Sequence, residues 1–320
     1  MQILIIGYSR IVQKRVIPAL LEIPSITRID IASQSFASKI ALPDKFQGDI
    51  YNDYDTALSK SKADLVYIST VNSDHSKWAE KALVRGFHVI VDKPAFTGFN
   101  TAERLSELAQ KSGLCLSEAT VYAFHPQIQA AGDIFLKARS SPTRLTVIFS
   151  FPPLSPGDFR YKVNLGGGAL WDLGPYAVSA GRLFFGEEPE EIFCRICSWG
   201  GSDNIDTSFS MLASYPGGRA MVGHFGFDTG YQNYLSLLGP DVSVTVERVF
   251  TTPADMENEI HFKLCNTPGV IKAPKADSFS IYIQQVLGAV QGGNYKYLTE
   301  NLLSDAVILH KLRCTALGKE

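Results

Sequence analysis

Three side chains in this 320-residue sequence have types and surroundings suited to moving charge and protons. Lys93 follows the apolar run of "FHVIVDKP". An ammonium lifted out of water beside a carbonyl donates a hydrogen bond and stabilises the negative charge that builds as the carbonyl is reduced. Asp172 and Tyr176 lie four residues apart in "GGGALWDLGPY", a spacing that predicts one shared helix face. A phenol near a cation gives up its proton more readily, so Tyr176 is suited to protonate an alkoxide.

A second group could hold an anion. In "LIIGYSRIVQKRVIPALL" an apolar run ends at Gly7 and an amphipathic segment follows, the pattern of a strand-to-helix turn whose free N–H groups and helix dipole favour a pyrophosphate. The usual second and third glycines of G-x-G-x-x-G are missing. Ser9 stands where the second would be, small enough for close backbone approach and bringing a hydroxyl as an additional donor. The turn makes Gly7, Tyr8, Ser9, Arg10 and Ile11 candidates for cofactor contact, with Arg10 able to reach a phosphate. An NAD-preferring site carries Asp or Glu at the end of its second strand. Here "DIASQSFASK" offers Ser33, Gln34 and Ser35, which can surround a 2'-phosphate without repelling it. NADP(H) is therefore preferred, with NAD(H) as the alternative. Lys39 either adds charge there or faces water.

These groups need elements to carry them. From residue 1 to about 120, apolar runs such as "QILIIG", "ADLVYIST" and "FHVIVDKP" alternate with amphipathic segments such as "SDHSKWAEKALVRG". That alternation predicts a doubly wound parallel sheet covered by helices, a Rossmann domain over 1–120. Residues 121–320 are expected to form an α+β domain for substrate binding and oligomerisation. Its short strands, with a hairpin signal at "SYPGGRAMV", predict a large open, mostly antiparallel sheet. One helical insert, "GGGALWDLGPYAVSAGRLFFG", precedes most of these strands, and two amphipathic segments at 277–292 and 299–317 close the chain.

Composition excludes some partners. With 45% hydrophobic and 19% charged residues and a net charge of -2, the chain reads as globular, with no basic footprint for nucleic acid or an anionic membrane. It shows no leader or spanning apolar run, so a cytoplasmic location is expected. The five cysteines suit reduced thiols, and Cys194 and Cys197 form a C-x-x-C within a strand-like stretch with no second pair, so no metal site is expected. Aromatic and alternating patterns in the second part ("LASY", "VGHFGF", "YLSLLG") predict an outer sheet face that favours a homodimer or homotetramer.

"STVNSDHSKWAEKALVRGFHVIVDKP", "TVYAFHPQ" and "GGGALWDLGPY", in that order, resemble the glucose-fructose oxidoreductase and inositol dehydrogenase (Gfo/Idh/MocA) family over nearly the whole chain. "FPPLSPGDFRYKVNLGGGALWDLGPY" looks like the substrate side of its nucleotide-sugar 3-ketoreductases. The family's Glu-Lys-Pro stands here as Asp92, Lys93 and Pro94. The resemblance implies that Thr70, Val71, Asn72, His75, Asp92, Lys93 and Glu118 line the cofactor, with His75 alternatively capping the helix it opens. It implies that His125, Gln127, Arg160, Tyr161, Asp172 and Tyr176 face substrate, Arg160 being suited to a substrate diphosphate or a cofactor phosphate. The expected activity is hydride transfer from NADP(H) to a ring ketone of a nucleotide-linked 3-keto deoxyhexose, with Tyr176 as proton donor, Lys93 polarising the oxygen and Asp172 positioning the group. The alternatives are a dehydrogenase of free sugars, polyols or dihydrodiols, and a non-catalytic dinucleotide-sensing regulatory relative.

Overall fold

A computed structural model describes residues 1–35, 40 and 42–318; Lys39 lies outside the described residues. The chain divides into two compact units, Met1–Ala119 with Phe279–Ala306, and Thr120–Ser278 with Val307–Glu320.

The first unit is built on six parallel strands: β1 (Gln2–Ile6), β2 (Arg28–Ala32), β3 (Gln47–Tyr51), β4 (Leu65–Ile68), β5 (His88–Val91) and β6 (Leu116–Glu118). Their order is β3-β2-β1-β4-β5-β6, the doubly wound arrangement expected from the alternating segments. The order reverses between β1 and β4, and the turns after those two strands carry the candidate cofactor residues. The central strands are continuous apolar runs because helices cover both faces. Leu4, Ile6, Val66, Ile68, Val89 and Val91 are fully buried, each stabilising by roughly 1.5–3 kcal/mol. After the short helix α1 (Ile17–Leu21), helix α2 (Tyr54–Lys60) packs Ala57 and Leu58 into this core, α3 (His75–Val84) packs Trp78, Ala79 and Leu83, and α4 (Phe99–Lys111) adds Ala102, Leu105 and Ala109.

The segment after β1 is not a plain helix. Val12–Val16 form a π turn ahead of a short α-helix over Ile17–Leu21, with Ile17 N–H reaching Val12 O. Pro18 sits in the first turn of that helix and has no N–H to give, so the backbone widens just before it.

One expectation about domains is corrected. The chain after 120 does not all belong to the second unit, because the helix Ser278–Gly292 and the start of the helix Lys296–Leu317 cover the first sheet. Thr299 Oγ1 donates to Leu116 O and accepts from Leu116 N, satisfying edge strand β6, and Tyr282 pairs with Ser117 at 2.7 Å.

The second unit carries eight strands: β7 (Arg144–Ser150), β8 (Glu191–Gly200), β9 (Ile205–Tyr215), β10 (Arg219–Gly226), β11 (Gln232–Gly239), β12 (Val242–Glu247), β13 (Asn258–Leu264) and β14 (Thr267–Ala273). The order is β14-β13-β12-β11-β7-β10-β9-β8, antiparallel except where β7 meets β10. Strand β14, which contains Pro268 and ends just before Pro274, was not anticipated. Helices α5 (Pro126–Lys137), α6 (Ala169–Asp172) and α7 (Gly174–Phe185) cover one face. The expected single insert is thus two helices, broken at Leu173. Pro175 lacks the N–H that a continuous helix would use, and a new helix starts at Gly174.

Candidate active site

In the first unit the turn after β1 is fixed by close backbone approach. Gly7 has φ +95°, and a Cβ there would lie 2.3 Å from Ser69 O, so no other residue fits. Ser9 Oγ accepts the N–H of Val12 at 3.1 Å and Ser9 O accepts that of Gln13, making Ser9 the cap of the helix entry. The N–H groups of Arg10 and Ile11 fall in the first turn, which has no intrahelical acceptors for them, and Arg10 is exposed. This cradle fits a dinucleotide pyrophosphate.

The end of β2 offers hydroxyl and amide groups. Ser33 is buried, its N–H bonded to Tyr51 O, while Gln34 and Ser35 are exposed on a turn. The nearby carboxylate, Asp30, is withdrawn from this end. It is paired with Arg28 at 2.9 Å and accepts from Asp49 N and Ser61 Oγ.

Lys93 leaves the carboxyl end of β5 on a tightly held backbone. Asp92 turns its carboxylate inward, where Tyr67 donates to Oδ1 at 2.6 Å and Ser69 donates to Oδ2. Burial pushes the Asp92 pKa up, outweighing these bonds and the nearby charges of His75 and Lys93. Pro94 O meets Nδ1 of His75 at 2.9 Å, and Glu118 Oε2 accepts the Ala95 N–H at 2.7 Å. His75 does not cap its helix; its ring lies between Pro94 O and Thr70 O, and burial holds its pKa below 6.5. Asn72, in the turn Asn72–Asp74 after β4, is buried, with Thr70 and Val71 half-buried beside it. The lysine turn and the turn after β4 are therefore braced by the same side chains. Tyr67 and Ser69, the two donors to Asp92, were missed in the sequence because they read as the end of an apolar strand.

In the second unit Tyr176 is caged by rings. Phe149 and Phe250 lie 5.1 Å from its centroid and Tyr122 5.7 Å, and Tyr122 is fixed by Ser179 at 2.9 Å. The half-buried ring is held in one place by these neighbours. Asp172 ends α6 rather than sharing a helix with Tyr176, so the expected common face is replaced by two settings. Its carboxylate pairs with Arg160 Nε at 2.8 Å, and Arg160 also reaches Asp158 at 3.2 Å. Burial opposes the charge on Arg160, but the two carboxylates outweigh it and raise its pKa. The arginine expected to meet a diphosphate is thus engaged by two carboxylates of its own unit.

The glycine run before α6 has a definite cause. Gly168 has φ +110° and a Cβ there would sit 2.4 Å from Asp206 Oδ1, whose carboxylate accepts the Leu170 N–H at 2.6 Å and so starts the helix. Gln127, expected to face substrate, is wholly buried. Its amide donates to Val249 O and Thr252 and accepts from Asn258, bracing α5 against the sheet. His125 caps α5, accepting the Gln127 N–H on Nδ1, which leaves the proton on Nε2. Tyr161 is buried, its hydroxyl accepting the Leu154 N–H at 3.0 Å. Among the described residues no group of His, Cys, Asp and Glu is placed to hold a metal ion, and no helix is long and apolar enough to cross a membrane.

Comparison with known proteins agrees with this architecture. Residues 1–120 match the oxidoreductase family with an NAD-binding Rossmann fold (GFO_IDH_MocA), and residues 141–247 match the GFO/IDH/MocA C-terminal domain. The chain is 29% identical over 314 residues to dTDP-3,4-didehydro-2,6-dideoxy-alpha-D-glucose 3-reductase of Actinomadura kijaniata, covering 98% of this chain and 94% of the relative. It is 30% identical over 250 residues to the enzyme of the same name from Streptomyces violaceoruber, covering 78% and 73%. The solved structure of KijD10, a 3-ketoreductase from Actinomadura kijaniata in complex with NADP and TDP-benzene, superposes with a TM-score of 0.92 at 28% identity, over 99% of this chain and 98% of that one. The chain is an oxidoreductase. It belongs to the Gfo/Idh/MocA family.

Proposed function

We propose that this chain reduces the C3 ketone of a nucleotide-linked 3-keto or 3,4-diketo deoxyhexose. The observation that carries the reading is the presence of Lys93 on a turn braced by Asp92, His75 and Glu118 in one unit, and of Tyr176 set among the rings of Phe149, Phe250 and Tyr122 in the other. Full-length similarity to dTDP-sugar 3-reductases supports the substrate class. NADPH, held by the turn from Gly7 to Ile11 and by Ser33, Gln34 and Ser35, supplies the hydride when bound.

Lys93 donates a hydrogen bond to the ketone oxygen and stabilises its developing charge. Tyr176 gives its O–H proton to the resulting alkoxide and is reprotonated from water, so the ring gains one hydride and one proton. Asp172, paired with Arg160, accepts a hydrogen bond from a sugar hydroxyl and orients the ring. The reading is tested by titrating the protein with NADPH and with NADH while following nicotinamide fluorescence. Preferential binding of NADPH supports it, and binding of neither dinucleotide overturns it.

We also propose a homo-oligomer through the open face of the second unit's sheet. Phe193, Leu212 and Val222 are direct cross-strand neighbours on β8, β9 and β10, and all three are exposed. A monodisperse monomer in sedimentation would contradict this.

A further inference from the structure

The serine that replaces the motif's second glycine takes part in a hydrogen-bond chain whose direction can be assigned atom by atom. Ser69 has one hydroxyl proton and gives it to Asp92 Oδ2. The 2.7 Å contact between Ser9 Oγ and Ser69 Oγ must then carry the Ser9 proton toward Ser69. Ser9 Oγ in turn accepts the Val12 N–H. The sequence runs from the helix N-terminus, through Ser9 and Ser69, to the carboxylate preceding Lys93. The Ser9 hydroxyl, expected to serve a pyrophosphate as a donor, is committed inward. Tyr67 occupies the other carboxylate oxygen, so with Asp92 ionised both oxygens are held by O–H donors.

We infer that Ser9 and Ser69 are positioning residues for Lys93, linking the turn that takes the dinucleotide to the turn that presents the lysine. The inference rests on the reading that Lys93 polarises the ketone. The chain fixes the Asp92 side chain, and Asp92 N–H bonded to Ile68 O, Pro94 O bonded to His75 and Ala95 N–H bonded to Glu118 fix the backbone around it. Loss of the Ser69 hydroxyl frees one carboxylate oxygen of Asp92, and loss of the Ser9 hydroxyl removes the donor that holds Ser69; either change loosens residues 92–95, which lie far from Ser9 in sequence yet share its hydrogen-bond path.

The test uses the full chain with Ser9→Ala, Ser69→Ala and the double variant. Amide hydrogen exchange without ligand should speed up at residues 92–95 in each single variant. Turnover of NADPH with a TDP-linked 3-keto deoxyhexose should fall roughly ten-fold in kcat in Ser69→Ala, from loss of a hydrogen bond to the buried carboxylate, with KM and the NADPH dissociation constant within about two-fold, and kcat should fall by less in Ser9→Ala. The kcat of the double variant should be no lower than that of Ser69→Ala, because Ser9 acts through Ser69. Exchange changes confined to residues 7–12 in Ser9→Ala, or kcat losses that multiply in the double variant, would overturn the inference. A wild-type protein that does not turn over this substrate would instead count against the proposed function, and the exchange result would still decide whether the two turns are linked.

Discussion

The two units immobilise the two side chains proposed as reactive by opposite means. Lys93 is set by polar wiring, in which a buried carboxylate, two hydroxyls, an imidazole and a second carboxylate hold the turn around it. Tyr176 is set by apolar packing, with three rings against its own. The difference follows from where each stands. The ends of parallel strands expose backbone groups that must be satisfied by side chains, whereas a helix satisfies its own backbone and leaves the ring to be placed by shape. Polar wiring tunes charge as well as position, and packing tunes position alone.

The largest expected effect is on the packed side. Tyr176→Phe keeps the ring and its cage but removes the proton donor, so kcat should fall by about 10²–10⁴-fold. The melting temperature should stay within a few degrees. A large loss of stability would mean that the hydroxyl serves structure.

On the wired side, Gly7→Ala forces a Cβ to 2.3 Å from Ser69 O at φ +95°. The strain should cost about 2–4 kcal/mol in denaturant unfolding. A variant as stable as the parent would show that the two turns are not in tight contact.

A smaller effect distinguishes the ion pair from the cage. Arg160→Met leaves Asp172 buried without its 2.8 Å partner, at a cost of about 1–3 kcal/mol. It should raise the KM for the sugar substrate more than it lowers kcat, as expected of a residue that fixes a substrate-orienting carboxylate. An unchanged KM would remove Asp172 from the substrate contacts.

The smallest effect is on pH dependence. Burial raises the Asp92 pKa above its ordinary 3.8, so the folded state binds a proton that the unfolded chain has released. That contribution to stability is fully present below 3.8 and is lost as pH rises through the folded value. Asp92→Asn should flatten this fall, measured as denaturant midpoints across the acid range. An identical pH slope in the two proteins would place Asp92 in contact with water.

Much of this was legible in the sequence, for physical reasons that also explain what was not. Continuous apolar strands alternating with amphipathic segments announced the parallel sheet, and Gly7 marked its first turn because the close approach admits no side chain. The pairing of Ser69 with Asp92 depends on the register of β4 against β5, where Ile68 faces Val91, and nothing local to either strand encodes that register. Arg160 read as a free cation because its partners Asp158 and Asp172 are brought to it by the loop before α6. The apolar period of 174–185 continues smoothly from 169–172, so the break at Leu173 was hidden unless Pro175 was weighed above periodicity. The helices after 277 were assigned by chain order, while Tyr282 and Thr299 show that they complete the first sheet.

The central proposal is that Lys93 and Tyr176 supply the charge stabilisation and the proton of ketone reduction. Its most direct test is the rate of NADPH oxidation with a TDP-linked 3-keto deoxyhexose by the parent chain and by the Lys93→Met, Tyr176→Phe double variant. The account predicts turnover by the parent and a loss of roughly 10³-fold or more in the variant, with NADPH binding retained. Full turnover by the double variant would contradict it.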